Sequence, residues 1–224
     1  MEEKEKKNGT GFFYGVIGVA TLVVAIIGAT FAYFTATAED TNTIQGEAAN
    51  TGLSLEVTHL STGAVSGLIP LNSTDLQKAV TGDTAATGDP KTCLDKNNNT
   101  ICQVYSIKVT NEGNSIAAVT GTLDLQPVSS PEVEEGGESA FANLKWQVLT
   151  DASTVNPDAT SYGIGENPIA SNITLNAEGN QTFYIVIWID NLEESQNAAD
   201  HGHFNGSVAF NSAEGSGISA TFSA

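Results

Sequence analysis

From Leu53 onward the chain keeps returning to an alternation of apolar and polar residues with a period of two. Leu53-Ser54-Leu55-Glu56-Val57-Thr58 is the first clear case. Tyr105-Ser106-Ile107-Lys108-Val109-Thr110, Leu144-Lys145-Trp146-Gln147-Val148 and Phe204-Asn205-Gly206-Ser207-Val208-Ala209-Phe210 repeat it. Successive side chains of a strand point to opposite faces, so each stretch predicts a strand with one face on a core and one in water. Ile116 to Leu125 supplies another strand, clearest at Thr122-Leu123-Asp124-Leu125, and Ile218-Ser219-Ala220-Thr221-Phe222 a last one. Phe183-Tyr184-Ile185-Val186-Ile187-Trp188-Ile189 is apolar on both faces and reads as a central strand. Trp146 and Trp188, both on strands, read as core residues.

Between these stretches lie Asn111-Glu112-Gly113-Asn114, Glu135-Gly136-Gly137-Glu138 and Asn176-Ala177-Glu178-Gly179-Asn180. Asn and Gly tolerate positive φ and close hairpins. One short helix is expected, Ser73 to Val80, with Asn72 or Ser73 as its cap and Gly82 past its end. Residues 81–92 and 131–139 read as surface insertions. Many strands, 22 glycines and little helical periodicity imply an all-β fold, an antiparallel β-sandwich of jelly-roll or immunoglobulin-like type over residues 53–224.

The N-terminal part obeys a different rule. From Asn8 to Ala38 there is no Asp, Glu, Lys or Arg, and Phe12 to Phe34 is long enough to span a bilayer as a helix. Lys4, Lys6 and Lys7 precede this run and favour an inside N-terminus. Residues 1–10 are therefore expected as a cytoplasmic start and 11–35 as a hydrophobic helix, either signal peptide or membrane anchor. Residues 36–52 would be a linker or donor segment, with 53–224 outside. Two small-x-small sites fit a signal peptidase, Thr30-Phe31-Ala32 before Tyr33 and Ala36-Thr37-Ala38 before Glu39. With a retained leader the protein is a single-pass surface protein; with a cleaved one it is secreted.

The chain carries 8 basic residues, all Lys, against 26 acidic ones, for a formal charge of −18. Such a surface repels phosphate backbones, so nucleic-acid binding is excluded as a function. The two cysteines, Cys93 and Cys102, stand in TCLDKNNNTIC. In an exported chain an isolated pair at this spacing reads as a local disulfide.

The leader ending GATFAYFTAT, followed by Asp40-Thr41-Asn42-Thr43-Ile44, resembles the exported TasA/camelysin type. That resemblance implies a cut after Ala32 by a dedicated signal peptidase, and mature subunits that self-associate into extracellular fibres. It also implies that a segment such as Glu39 to Asn50 inserts into a neighbouring subunit as an added strand. Without the resemblance, the same polar segment reads as a tether. The family has also been described as metallopeptidases, but no His-Glu-x-x-His helix occurs in this sequence.

Other candidate sites are sparse. Asp95, Asn97 and Asn99 place oxygen donors at alternate positions, as a calcium loop begins, but the Gly and Glu that complete such a loop are replaced by Thr100 and Ser106. Asp200-His201-Gly202-His203 holds two of the three histidines, and His59 is the third. No nucleophile elbow or phosphate loop appears, so no catalytic residue and no cofactor beyond calcium is expected. Sequons at Asn72, Asn98, Asn172, Asn180 and Asn205 permit glycosylation. The sequence therefore points to a non-enzymatic surface or biofilm-matrix subunit, with a monomeric membrane-anchored adhesion module as the alternative.

Overall fold

The computed structural model describes residues 43–47, 52–62, 68–82, 92–128, 143–192, 203–213 and 217–223. The hydrophobic leader, both cleavage sites at Ala32–Tyr33 and Ala38–Glu39, the 131–139 insertion and His201 lie outside the described residues. Among the described residues ten strands follow in chain order: β1 (Thr43–Glu47), β2 (Leu53–His59), β3 (Gln103–Asn111), β4 (Ala117–Val128), β5 (Leu144–Asp151), β6 (Thr154–Val155), β7 (Gly165–Leu175), β8 (Asn180–Ile189), β9 (His203–Ser212) and β10 (Gly217–Ser223). They form a six-stranded sheet, β1-β2-β3-β8-β5-β6, and a four-stranded sheet, β10-β9-β4-β7. Every ladder between them is antiparallel. The fold is an antiparallel β-sandwich.

The alternation decides which residues meet between the sheets. Leu53, Leu55 and Val57 of β2, Ile107 and Val109 of β3, and Ile185, Ile187 and Ile189 of β8 face Leu123 and Leu125 of β4, Val208 and Phe210 of β9, and Ile218 and Phe222 of β10. Each side chain of this size contributes roughly 1.5–3 kcal/mol when fully buried. Two glycines make room for aromatic rings in this layer: a Cβ on Gly121 would run into Phe210, and one on Gly206 into Phe222.

The outer half of β8 is covered by a second, smaller core. Val186 and Trp188 there pack with Val104, Leu149, Leu71, Leu76, Ala79, Val80 and Ile101, and with Cys93 and Cys102. The covering layer is a lobe built from residues 68–82 and 92–102. A 3-10 turn, Ser73–Asp75, leads into helix α1 (Leu76–Thr81), whose apolar side faces the sheet. The helix thus begins three residues later than the sequence suggests, and neither Asn72 nor Asp75 caps through its side chain. Gly82 ends it at φ 84°, a left-handed conformation that Gly adopts without steric cost. Gln77 ties the helix to the β5–β6 hairpin: its Nε2 donates to the Ser153 carbonyl at 3.0 Å, and its Oε1 accepts from the Val155 N–H at 2.7 Å.

At the end of β3 a buried asparagine joins the two sheets. Asn111 Nδ2 donates to the carbonyls of Ser115 (2.7 Å) and Asn176 (2.9 Å), and its Oδ1 accepts from the Gly113 N–H at 3.0 Å. One side chain thereby satisfies groups in both the β3–β4 and β7–β8 turns. Both tryptophans lie in the core as expected, fully buried, and neither indole N–H has a hydrogen-bond partner among the described residues.

Candidate functional site

A β-sandwich leaves strand edges, and what closes each edge decides what else can pair there. β6, two residues long, is too short to template a ladder. β7 carries Pro168, which has no N–H to donate, and its pairing with β4 slips around Gly121. Asn172 on β7 sits at φ 52°, a left-handed conformation beside the same register irregularity. The other two edges, β1 and β10, come together at one side of the sandwich, where β10 also contacts β2.

β1 lies inside the span expected as linker or donor segment. It is a strand of its own chain, paired with β2 along its full length from Thr43↔Thr58 to Glu47↔Ser54. Backbone hydrogen bonds of this kind accept almost any side chain, which is why the polar TIQGE sequence sustains a strand that periodicity did not reveal. On the other side of the seam, each of the seven residues of β10 pairs in regular register with β9, from Gly217↔Asn211 to Ser223↔Asn205.

A polar and aromatic cluster closes one end of the seam. His59, the last residue of β2, lies 5.0 Å from the Tyr105 ring, and Tyr105 lies 4.5 Å from Phe222 of β10. The row runs from the six-stranded sheet to the four-stranded one. The Tyr105 hydroxyl donates to Gln103 Oε1 at 2.7 Å, and burial pushes its pKa well above the usual value. His59 Nε2 is 2.6 Å from Ser61 Oγ, and that oxygen accepts the Val104 N–H at 3.2 Å. Burial lowers the His59 pKa and so favours the neutral ring. Among the described residues no carboxylate hydrogen-bonds His59, so this serine–histidine contact closes a strand end and lacks the orienting acid of a catalytic triad. Sequence reasoning passed over it because His59 and Ser61 stand two apart at the end of a strand, a spacing with no motif attached to it.

The expected disulfide is present. Cys93 and Cys102 are bonded, fully buried and 4.8 Å apart at Cα. The loop between them folds around Asp95. Its Oδ1 accepts the N–H groups of Asn97 (2.7 Å) and Asn99 (2.8 Å), and its Oδ2 accepts Asn99 Nδ2 at 2.9 Å. Partial desolvation pushes the Asp95 carboxyl up, but the hydrogen bonds from Asn99 and Asn97, with the Lys96 charge, hold it below its usual value. The turn thus gathers Asp95, Asn97 and Asn99 around one carboxylate. Among the described residues no group of three or more His, Cys, Asp or Glu side chains is placed to hold a metal. Only the backbone of His203 is described; it pairs with Val128 at the start of β9. The sequon asparagines Asn72, Asn98, Asn172, Asn180 and Asn205 are all exposed.

No family model matches the chain, and no curated protein matches it. Among solved structures, it is similar to AvmM, described as catalysing macrocyclization in alchivemycin A biosynthesis. Identity there is 10%, over 55% of this chain and 79% of that one, with a TM-score of 0.30. A family 123 glycoside hydrolase from Clostridium perfringens is 14% identical over 76% of this chain and 27% of its own, with a TM-score of 0.30. A PapD-like domain of human CEP192 is 9% identical over 55% of this chain and 70% of its own, with a TM-score of 0.22. Likenesses this distant carry no argument about function.

Proposed function

We propose that this chain is an exported, non-enzymatic structural subunit of a cell surface or extracellular matrix. Copies join by passing residues 43–47 of one molecule to the β2 edge of the next. The observation that carries this reading is the β1–β2 ladder, which holds a polar five-residue strand at an edge of the sandwich immediately after the leader. A strand held by backbone bonds exchanges between copies without loss of pairing. The buried Cys93–Cys102 disulfide suits an oxidising compartment, and the leader supplies the route there. The resemblance of that leader to the TasA/camelysin type points the same way. Pairing of β1 within one molecule also favours a second reading, a monomeric surface module held to the membrane by a retained leader.

Cysteines at two registered positions separate the readings. Gln45 faces Glu56 across the ladder. Full-length Gln45→Cys and Glu56→Cys chains, mixed, unfolded and refolded together, are expected to give disulfide-linked dimers and filaments by negative-stain microscopy. The double variant, oxidised within one chain, is expected to give neither. A mixture that stays monomeric on non-reducing gels overturns the exchange reading in favour of the monomeric module.

A further inference from the structure

We propose that Asn172 is a modification site, the position at which the folded chain accepts an N-linked glycan. Asn172-Ile173-Thr174 is an acceptor motif, and such motifs are modified where they stand on exposed, loop-like backbone. β7 supplies that backbone within a strand. Its register with β4 steps from Val119↔Ile173 to Gly121↔Ala170, so Ser171 and Asn172 stand together opposite Thr120. A bulge of this kind lifts a residue out of the ladder and re-aims its side chain. The Asn172 N–H reaches only Thr120 Oγ1, at 3.4 Å, and its side-chain amide enters no hydrogen bond among the described residues. Ser171, Asn172 and Thr174 are exposed, and among the described residues β7 is the last strand of its sheet. The left-handed backbone accounts for an asparagine at 172. The Thr174 hydroxyl two residues on makes that asparagine an acceptor.

The other four motifs are held more tightly. Asn205 is registered on both sides, with Ser223 of β10 and Gln126 of β4, and Asn180 is paired with Thr110 of β3. At Asn98 the motif's own hydroxyl residue, Thr100, is buried, and the Asn98 N–H is bonded to the Asp95 carbonyl at 3.0 Å. At Asn72 the next two residues, Ser73 and Thr74, already belong to the 3-10 turn. In the transfer, the Asn172 amide nitrogen forms a bond to the anomeric carbon of a sugar carried on a lipid pyrophosphate. The bond from that carbon to the pyrophosphate oxygen breaks, the lipid pyrophosphate leaves, and one amide proton passes to a base of the transferase. Such donors are met outside the cytoplasm, so modification in cells rests on the export read from the leader. A bulky, hydrated chain here joins Pro168 in closing the β7 edge to a further strand. β7 and β10 are opposite ends of the four-stranded sheet, so the sugar leaves the seam beside β1 uncovered.

The folded full-length chain in detergent is the substrate for the test. The probe is a lipid-pyrophosphate-linked sugar with a single-subunit oligosaccharyltransferase, chosen because it modifies the isolated peptide of residues 167–178. Cleavage after Glu166 and Glu178 releases that same segment, in which Asn172 is the sole acceptor motif. A single added sugar chain, found on this segment by mass spectrometry, is the expected result. Thr174→Val, which keeps a strand-forming residue but removes the hydroxyl, is expected to lose the added mass, and Thr174→Ser to keep it. Far-UV circular dichroism confirms that both variants are folded. A folded chain left bare at Asn172 by a transferase that modifies the peptide, or one modified first at Asn72, Asn98, Asn180 or Asn205, overturns the proposal. Thiol labelling of Cys93 and Cys102 in protein taken from cells reads export on its own, so a failed export and a failed acceptor are told apart.

Discussion

His59 shows how one titratable group is fixed by its place in the sandwich. The ring is half-buried at the end of β2, tilted against Tyr105 and within hydrogen-bond distance of the Ser61 hydroxyl. Burial lowers its pKa from a usual value of 6.5. The folded state then binds fewer protons than the unfolded one below that pH, so stability falls as pH drops from 6.5 toward the folded-state pKa. Urea midpoints measured between pH 7.5 and 5 are expected to decline over that window. In His59→Gln the decline shrinks, because no imidazole remains to be charged; an unchanged slope in the variant would assign the acid sensitivity to other groups. Asn111 illustrates the opposite case, a buried polar side chain whose donors and acceptor are all used between two turns. Nothing in Asn111-Glu112-Gly113-Asn114 distinguishes that role from an ordinary turn asparagine, since the partners Leu175 and Asn176 lie more than sixty residues away.

At the level of elements, strands whose alternation meets a core on one side were legible. β2, β3, β4, β5, β9 and β10 all contain the stretches that alternation marks, and β8 the run that is apolar on both faces. β7 was not, because Pro168 and the left-handed Asn172 break the period and leave only Ile169 and Leu175 fully buried. β1 was not, because an edge strand held by its backbone needs no apolar pattern. The lobe over β8 was half legible: its helix, its Gly82 stop and its disulfide could be read, but not that together they bury the outer face of the central strand. That coverage depends on contacts between residues 71–102 and residues 186–188, which no local pattern encodes. The disulfide closes a loop with a sequence separation of 9. Replacing both cysteines with alanine is expected to cost about 2–3 kcal/mol in urea unfolding, by the entropy restored to the unfolded chain. A cost near zero would mean that the lobe's packing alone holds it.

For the molecule between residues 43 and 223, the edge strands β1 and β10 adjoin at one side of the sandwich. The expected all-β architecture is what the described residues adopt, and the Asp95 loop folds as a turn around its own carboxylate. The covering lobe has a consequence of its own along β8. From Ile185 to Ile189 the strand lies between two apolar layers, whereas Asn180 and Gln181 face solvent. Amide deuterium uptake should therefore run as a gradient along this single strand, fastest near Asn180 and slowest at Val186 to Trp188. A uniform uptake rate across β8 would show that the lobe opens independently of the sandwich beneath it.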